Sequence, residues 1–313
     1  MKKIYFEIIA LAVMLLITAC SQNELQQDTA LVTFSLGVEN ANMTRAYSDG
    51  TGVDQLMYAI FNEDGTKLII KKVTENNITD LLDSHTVTLS LAKGHTYTAV
   101  FWAQNSNCTA YTVSDDMNVI IDYTGLNNDE TRDAFFAVSE PFNVNNSISK
   151  DVILKRPFAQ INVGAYEYDY TYAKENKLNV TLSSATINDV PTRINLFDGS
   201  VSEFDDVIYE LNSIPSDDNN LLYVDVNNDG EREHYKYLSM CYILSDTIGM
   251  THTMAFNFKD VENNKYIGFS EGLEYVPAKR NWRTNVVGQI LTGPANFLVI
   301  IDPTYDNEHN LIK

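Results

Sequence analysis

Short runs in which apolar and polar residues alternate recur along almost the whole chain. The first run places Val32, Phe34, Leu36 and Val38 between small or polar residues. Successive side chains of a β-strand point to opposite faces, so this alternation predicts a strand over residues 31–38 with one buried face. The same kind of pattern predicts further strands at residues 87–91, 97–101, 178–182, 254–258 and 297–301.

A β-hairpin is predicted between residues 56 and 70. Residues 56–61 form the first arm, Asn62-Glu63-Asp64-Gly65 supplies an Asp-Gly turn, and residues 67–70 form the second arm. The chain contains 18 Tyr and 14 Phe, which suit pleated, half-buried surfaces. No stretch has a sustained helical period, so short helices are expected only in connections, for instance over residues 129–134 or 202–211. Together these features indicate an all-β protein built from β-sandwiches.

A domain boundary is predicted near residues 150–157. Residues 151–154 are typical of a closing strand, and residues 158–163 begin a new one. Pro157 lies between them and has no amide hydrogen for a ladder, which suits a strand start. A chain of 313 residues accommodates two ordinary domains. We therefore divide it into a signal peptide (1–20), an N-terminal sandwich (21–155) and a C-terminal sandwich (156–313).

The first twenty residues have the layout of a secretory signal. A positive end at Lys2 and Lys3 precedes an apolar core over residues 8–17, which is too short to span a bilayer comfortably. Small residues before Cys20 resemble a bacterial lipobox, which implies a diacylated Cys20 that tethers the protein to a membrane. The alternative is an ordinary signal peptide with a chance cysteine.

Charge and cysteine content narrow the possible partners. The formal net charge of −20 disfavours nucleic acid and anionic lipid surfaces as binding partners. Apart from Cys20, the cysteines are Cys108 and Cys241, far apart in segments assigned to different domains. Two buried thiols are therefore a better interpretation than a disulfide.

Catalytic motifs are not recognisable, and we expect no enzyme activity and no cofactor. The chain has no His-Glu-x-x-His pair, no Gly-x-Ser-x-Gly elbow and no glycine-rich phosphate loop, and its five histidines are scattered. One loop resembles the first half of a calcium-binding EF-hand loop, through the oxygen-bearing side chains of Asp225, Asn227, Asp229 and Glu231. The twelfth position of that pattern is Lys236, and a plain hairpin turn between two strands is the alternative interpretation.

A processing site is predicted at Arg45-Ala46, in a polar segment after the first strand. A trypsin-like protease that cuts after Arg45 would release the lipid and the 31–38 strand together. At about 1.5–3 kcal/mol each, the four apolar side chains of that strand represent on the order of 6–12 kcal/mol of gross burial. Their loss would leave an apolar groove between open strand edges, which a strand from another subunit could fill.

Four motifs follow one another along nearly the whole chain. They are the lipobox at Cys20, Thr44-Arg45-Ala46 with Ser48-Asp49-Gly50, Leu154-Lys155-Arg156-Pro157-Phe158-Ala159, and Arg280-Asn281-Trp282-Arg283-Thr284-Asn285-Val286 with Ile290-Leu291-Thr292-Gly293. In this order they resemble the fimbrillin family of the Bacteroidales, the type V pilins. The resemblance implies two transthyretin-like β-sandwich domains, lipoprotein export to the outer membrane, and strand exchange after cleavage at Arg45. The tail after Ile301 is short and polar, so either residues 297–301 serve as the donor strand or the chain is a tip or anchor subunit.

The leading hypothesis is a fimbrial subunit, or a tip or anchor adhesin, that is first an outer-membrane lipoprotein precursor and then part of the cell surface or fimbrium. Its partners would be other fimbrial subunits and a host or bacterial surface ligand. The alternative is a monomeric outer-membrane lipoprotein that binds glycans. For that alternative, alternation over residues 166–172 predicts four stacking rings on one strand face, and cross-strand packing of these tyrosines is the competing explanation. A calcium-dependent hydrolase would rest on the 225–231 loop alone.

Overall fold

The computed structural model describes residues 28–39, 52–79, 81, 84–214, 221–227, 229–268 and 272–303. Within these ranges the chain is nearly all β, which confirms the predicted fold class. The strands are β1 (Thr29–Val38), β2 (Gln55–Asn62), β3 (Leu68–Asn76), β4 (His85–Ala92), β5 (His95–Gln104), β6 (Tyr111–Val113), β7 (Asn118–Ile121), β8 (Gly125–Leu126), β9 (Ala134–Val138), β10 (Phe142–Val144), β11 (Ile148–Leu154), β12 (Phe158–Ala165), β13 (Val180–Asn195), β14 (Val201–Ser213), β15 (Leu221–Val224), β16 (Glu233–Leu244), β17 (Met250–Asp260), β18 (Lys265–Gly268), β19 (Leu273–Ala278), β20 (Arg283–Gln289) and β21 (Asn296–Asp302). The described part of the chain also has a helix, α1 (Glu167–Glu175), and a 3-10 turn (Glu130–Arg132).

The first sandwich packs two sheets against each other. Sheet 1 has the order β11-β1-β4, and sheet 2 has the order β10-β5-β2-β3 with β9 added to β5. Their facing side chains form one apolar core. The predicted hairpin is confirmed as β2 and β3, which pair antiparallel.

The second sandwich also packs two sheets. Sheet 3 has the order β15-β16-β12-β20-β21. Sheet 4 has the order β18-β17-β13-β14-β8. In addition, β19 pairs with β17, β7 pairs with β13, and β6 pairs with β7. Strands β6 to β8 precede residue 155, yet β7 pairs with β13 and β8 with β14. The segment that contains β6 to β8 therefore crosses the predicted boundary at residue 155. The division into two domains at that residue stays a prediction.

Strands β2 and β5 of sheet 2 are buried on both faces, which explains their continuous apolar sequences. In β2 and β5 neighbouring residues point to opposite faces, yet nearly all of them are buried. One face packs on sheet 1, while the other joins the larger core through Met57, Ala59 and Trp102. A strand covered on both sides loses the polar half of its alternation.

Two local predictions are wrong. Residues 202–211 lie in β14, which pairs along most of its length with β13 and is not helical. The tyrosine-rich stretch at 166–172 enters helix α1 rather than a strand. Acidic Glu167 and Asp169 in the first turn and Lys174 in the last turn favour the helix through its dipole.

The helix expected near 129–134 corresponds to the 3-10 turn. No helix in the described ranges is long and apolar enough to cross a membrane.

Candidate functional site

Strand β1 is the middle strand of sheet 1. It runs parallel to β11 on one side and antiparallel to β4 on the other. Val32, Phe34 and Leu36 are 0% exposed and Val38 is 7% exposed, and the Phe34 ring meets Phe101 edge-to-face at 5.2 Å. The predicted buried face of this strand is confirmed, whereas its removal stays a prediction.

The opposite face of β1 is polar and makes lighter contacts. Thr33 and Ser35 share hydroxyl hydrogen bonds with Thr88 (3.2 Å) and Ser84 (2.8 Å). Adjacent strands lie about 4.8 Å apart, so a chain without β1 would hold β4 and β11 about 10 Å apart, each with an unpaired edge towards the gap. That gap is the width of one strand, and its floor is the apolar face of sheet 2. We call the gap between β4 and β11, which β1 occupies in the intact chain, the acceptor groove.

Charged residues hold both ends of β1. At its start, the exposed Asp28 lies 2.9 Å from Lys93 Nζ. At its end, the carboxylate of Glu39 lies 3.3 Å from Lys155 Nζ, and its Oε2 accepts a hydrogen bond of 2.6 Å from Asn281 Nδ2. Glu39 is only 4% exposed, so the end of the strand is buried and polar.

The motifs at 154–159 and 280–286 meet beside this carboxylate, at the junction of the two sandwiches. Asn281 accepts from the Arg156 amide at 3.2 Å and donates its own amide to the Phe158 carbonyl at 2.9 Å. Arg156 forms two bonds to the Asp133 carboxylate, at 2.8 and 2.9 Å, and its guanidinium lies over the Phe135 ring. Direct hydrogen bonds thus join two motifs that lie more than 120 residues apart in the sequence.

Strand β21 lies on the edge of sheet 3. Among the described strands it pairs with β20 alone. Leu298, Val299 and Ile301 are between 37% and 47% exposed, while Phe297 and Ile300 pack partly on the larger core. The predicted strand at 297–301 is therefore present, and exposed apolar side chains lie on both of its faces.

The loop proposed for calcium joins β15 to β16. Asp225 accepts from the amides of Asp229 and Gly230, at 3.2 and 2.9 Å, and Asp229 accepts from the Glu231 amide at 2.8 Å. Asn227 donates to the Asp229 carboxylate at 3.0 Å. The side-chain oxygens thus close the turn, as in an ordinary hairpin. In the described part of the chain no group of three or more His, Cys, Asp or Glu side chains converges, and the calcium site stays a prediction.

The tyrosines at 166–172 are split between two environments by the helix. Tyr168 and Tyr172, one turn apart, are 61% and 57% exposed, while Tyr166 and Tyr170 pack partly on the core. The predicted face of four rings is therefore wrong, because helical spacing places every second residue about 200° around the axis rather than on one side. Two exposed rings remain.

The remaining predicted residues fall into two groups. Cys108 and Cys241 are buried free thiols, as expected, and burial raises the pKa of each thiol. Cys20, Arg45 and Ala46, the residues of lipidation and processing, lie outside the described residues.

Glu39 and the role of Asn281 escaped the sequence analysis. A usable signal exists, because Glu39 is an acidic residue directly after the last apolar position of an alternating strand. Its partners could not be identified from the sequence, because Lys155 and Asn281 lie 116 and 242 positions away along the chain.

Comparison with solved structures finds similarity to proteins of Bacteroides and Porphyromonas. A Bacteroides thetaiotaomicron protein provisionally named as polysaccharide-binding (DUF1812) is 12% identical, with a TM-score of 0.50 over 86% of this chain and 95% of that chain. The tip fimbrial protein Mfa3 of Porphyromonas gingivalis, with a C-terminal truncation, is 10% identical, with a TM-score of 0.46 over 88% and 99%. The fimbrial anchor protein Mfa2 of the same organism is 12% identical, with a TM-score of 0.44 over 88% and 96%.

At these identities the likeness concerns the fold alone. No curated protein matches the chain. The profile of the family of unknown function DUF6562 matches residues 23–312, and the chain belongs to that family.

Proposed function

We propose that this chain is a subunit of a surface fimbrium, or its tip or anchor adhesin, and that it assembles by strand exchange. The observation that carries the proposal is the position of β1. It is a central strand with a fully buried apolar face, yet it lies at the start of the described chain, ahead of residues 40–51, which contain Arg45. A cut there separates it from every other strand in the described part of the chain.

The precursor is proposed to be a lipoprotein of the outer membrane, attached through Cys20. Proteolysis between Arg45 and Ala46 releases the anchor and β1 together and opens the acceptor groove. Filling the groove restores on the order of 6–12 kcal/mol of apolar burial and two strand ladders. The product is a member of the cell surface or fimbrium whose partners are other fimbrial subunits. This role requires no catalysis and no cofactor.

Strand β21 of a second copy is the donor that this chain offers. Phe297, Val299 and Ile301 have the same spacing as the inward residues Phe34, Leu36 and Val38 of β1. Two of these three side chains are exposed in the monomer, and β21 is held by one neighbouring strand. Moving it from an edge to a central position would bury apolar surface that now faces water.

Limited trypsin digestion of the purified chain, produced without residues 1–20, tests this proposal. We expect an early cut after Arg45, followed by ladders of high-mass species on gels under mild denaturant. Arg45→Ala should remain monomeric under the same treatment. The control Arg232→Ala removes an arginine that is exposed in the described part of the chain, and it should assemble like the unmodified chain. A cut product that stays a folded monomer and behaves as Arg45→Ala does would contradict the proposal.

The role of β21 is tested separately. Val299→Lys places a charge on the strand at a position that is 37% exposed in the monomer, so the uncut chain should remain folded. We expect its cut product to accept a synthetic β1 peptide but to form no ladders. Assembly at the unmodified rate would exclude β21 as donor and leave the groove to another subunit.

A glycan-binding surface lipoprotein is the second candidate, favoured by the exposed rings of Tyr168 and Tyr172. They lie beside Gln289 and Thr292, so apolar ring faces and amide or hydroxyl groups are available together for a sugar. Binding of the uncut chain to a glycan array, lost in Tyr168→Ala/Tyr172→Ala and retained in the control Tyr266→Ala, would favour this function. Equal binding by both variants would remove it.

A further inference from the structure

We propose that the acceptor groove ends in a carboxylate socket, formed by Lys155 and Asn281, that selects strands carrying an acidic residue directly after their last buried apolar residue. The inference rests on the proposed strand exchange and specifies the chemistry of the strand that can enter. Glu39 occupies the socket in the intact chain.

The contacts of Glu39 define the socket. Its carboxylate lies 3.3 Å from Lys155 Nζ, its Oε2 accepts from Asn281 Nδ2 at 2.6 Å, and its amide donates to the Leu154 carbonyl at 2.9 Å. The residue is 4% exposed. A carboxylate at this depth is tolerated only with a cation and hydrogen-bond donors as partners, so an uncharged residue at the same position would leave Asn281 and Lys155 without this acceptor.

The backbone of both socket donors has hydrogen-bond partners outside β1. Lys155 exchanges two backbone hydrogen bonds of 2.9 Å with Phe136, so its position depends on β9. Asn281 is fixed by Arg156 and by the Phe158 carbonyl, as described above. Lys155 also directly follows β11, which pairs with β1. The bonds of Lys155 to Phe136 and of Asn281 to Arg156 and Phe158 do not involve β1, so they would hold the backbone of both donors for an incoming strand.

Positive charge surrounds the socket. A cleft of about 640 Å³ between the two sandwiches is lined by Lys155, Lys279 and Arg280, with Asp198 as the acidic residue of the lining. Arg280 is 9% exposed and donates to the carbonyls of Ser245 and Gly199. In a chain of net charge −20, this cationic cleft is a local exception, and it attracts an acidic group towards the end of the groove.

Strand β21 of a second copy meets the requirement. When Phe297, Val299 and Ile301 are aligned with Phe34, Leu36 and Val38, Asp302 falls on Glu39. We infer that β21, the donor strand of the chain itself, carries both the apolar spacing and the terminal carboxylate that the groove and its socket recognise.

Peptide binding to the cut chain tests the socket without altering the folded protein. The chain is cleaved after Arg45, and fluorescent peptides of residues 28–39 are titrated by anisotropy. We expect the Glu39→Gln peptide to bind about tenfold or more weakly than the native peptide, since a charged hydrogen-bonded contact is lost. The Asp28→Asn peptide is the matched control. It removes a carboxylate whose partner Lys93 is at the exposed end, and it should bind within about threefold of the native peptide.

Lys155→Gln in the cut chain should shrink the difference between the native and Glu39→Gln peptides to about threefold or less, which identifies the partner by a double-mutant cycle. Peptides of residues 293–303 should show the same loss with Asp302→Asn. Equal binding of the native and Glu39→Gln peptides would overturn the socket while strand exchange stands. If the native peptide does not bind at all, strand exchange itself is wrong and the socket falls with it.

Discussion

Arg156 connects the two sandwiches at the level of a single side chain. It is 2% exposed and pairs with Asp133, which is 4% exposed. Arg156→Ala leaves that carboxylate buried without its bidentate partner, so we expect the free energy of unfolding to fall by about 3–5 kcal/mol in urea denaturation. The control is Lys71→Ala, which removes an ion pair of 3.7 Å between largely exposed side chains and should cost less than about 1 kcal/mol. Similar losses in the two variants would contradict this assignment.

We expect the buried ring of His252 to make the free energy of unfolding depend on pH. Its ring is 3% exposed and contacts the Asn188 carbonyl through Nδ1, and burial lowers its pKa from 6.5. The unfolded chain therefore binds the proton more tightly than the folded chain does. As pH falls below about 6.5, the free energy of unfolding should decrease by up to about 1.4 kcal/mol per pH unit from this group.

Urea midpoints measured between pH 5 and 8 for the native chain and His252→Asn isolate this contribution. The variant lacks the titrating ring, so the difference between the two curves should grow towards acid pH in the variant's favour. Parallel curves would show that another group causes the acid sensitivity.

Strand β1 is the element that leaves the molecule in the proposed strand exchange. Phe34 is 0% exposed and meets two aromatic rings, Phe101 at 5.2 Å and Phe142 at 5.6 Å. Phe34→Ala in the uncut chain should lower the free energy of unfolding by about 3–5 kcal/mol, because it removes a large buried ring and leaves a cavity. Leu31→Ala, on the same strand but 54% exposed, should change it by less than about 0.5 kcal/mol.

The Phe34→Ala variant and the native chain together distinguish a removable strand from a permanent one. After cleavage at Arg45 and peptide removal, the Phe34→Ala and native chains are identical and should accept a native β1 peptide with equal affinity. A persistent difference would mean that the strand had not left the molecule.

At the scale of the whole molecule, net charge opposes assembly. Two cut chains that each carry a charge near −20 repel over distances that salt shortens, from about 30 Å at 0.01 M to about 8 Å at 0.15 M. We expect the rate of ladder formation to rise as sodium chloride is raised over this range. Sucrose at matched osmolality is the control and should leave the rate nearly unchanged. A rate that falls with salt would instead indicate that attraction between charged patches dominates association.

The sequence by itself determined several of the strands, and among them the buried face of β1. The alternation over residues 32–38 is typical of a strand with one buried face, and the Asp-Gly turn at Gly65 is typical of a hairpin, so both could be predicted from neighbouring residues alone. The prediction failed where tertiary pairing or helix formation overrode the local pattern, as in β14, which is held by β13, and in α1.

Only the tertiary structure decided which strands neighbour β1 and what binds its end. The pairing with β11 and β4, the meeting of Lys155 and Asn281 around Glu39, and the crossing of β6 to β8 into the second sandwich all join residues distant along the chain. Alternation specifies which face of a strand is buried, but it carries no information about the partner on the other side of the core. For this reason the sequence predicted a strand that can be removed, and the fold supplied the groove and the carboxylate socket that would receive its replacement.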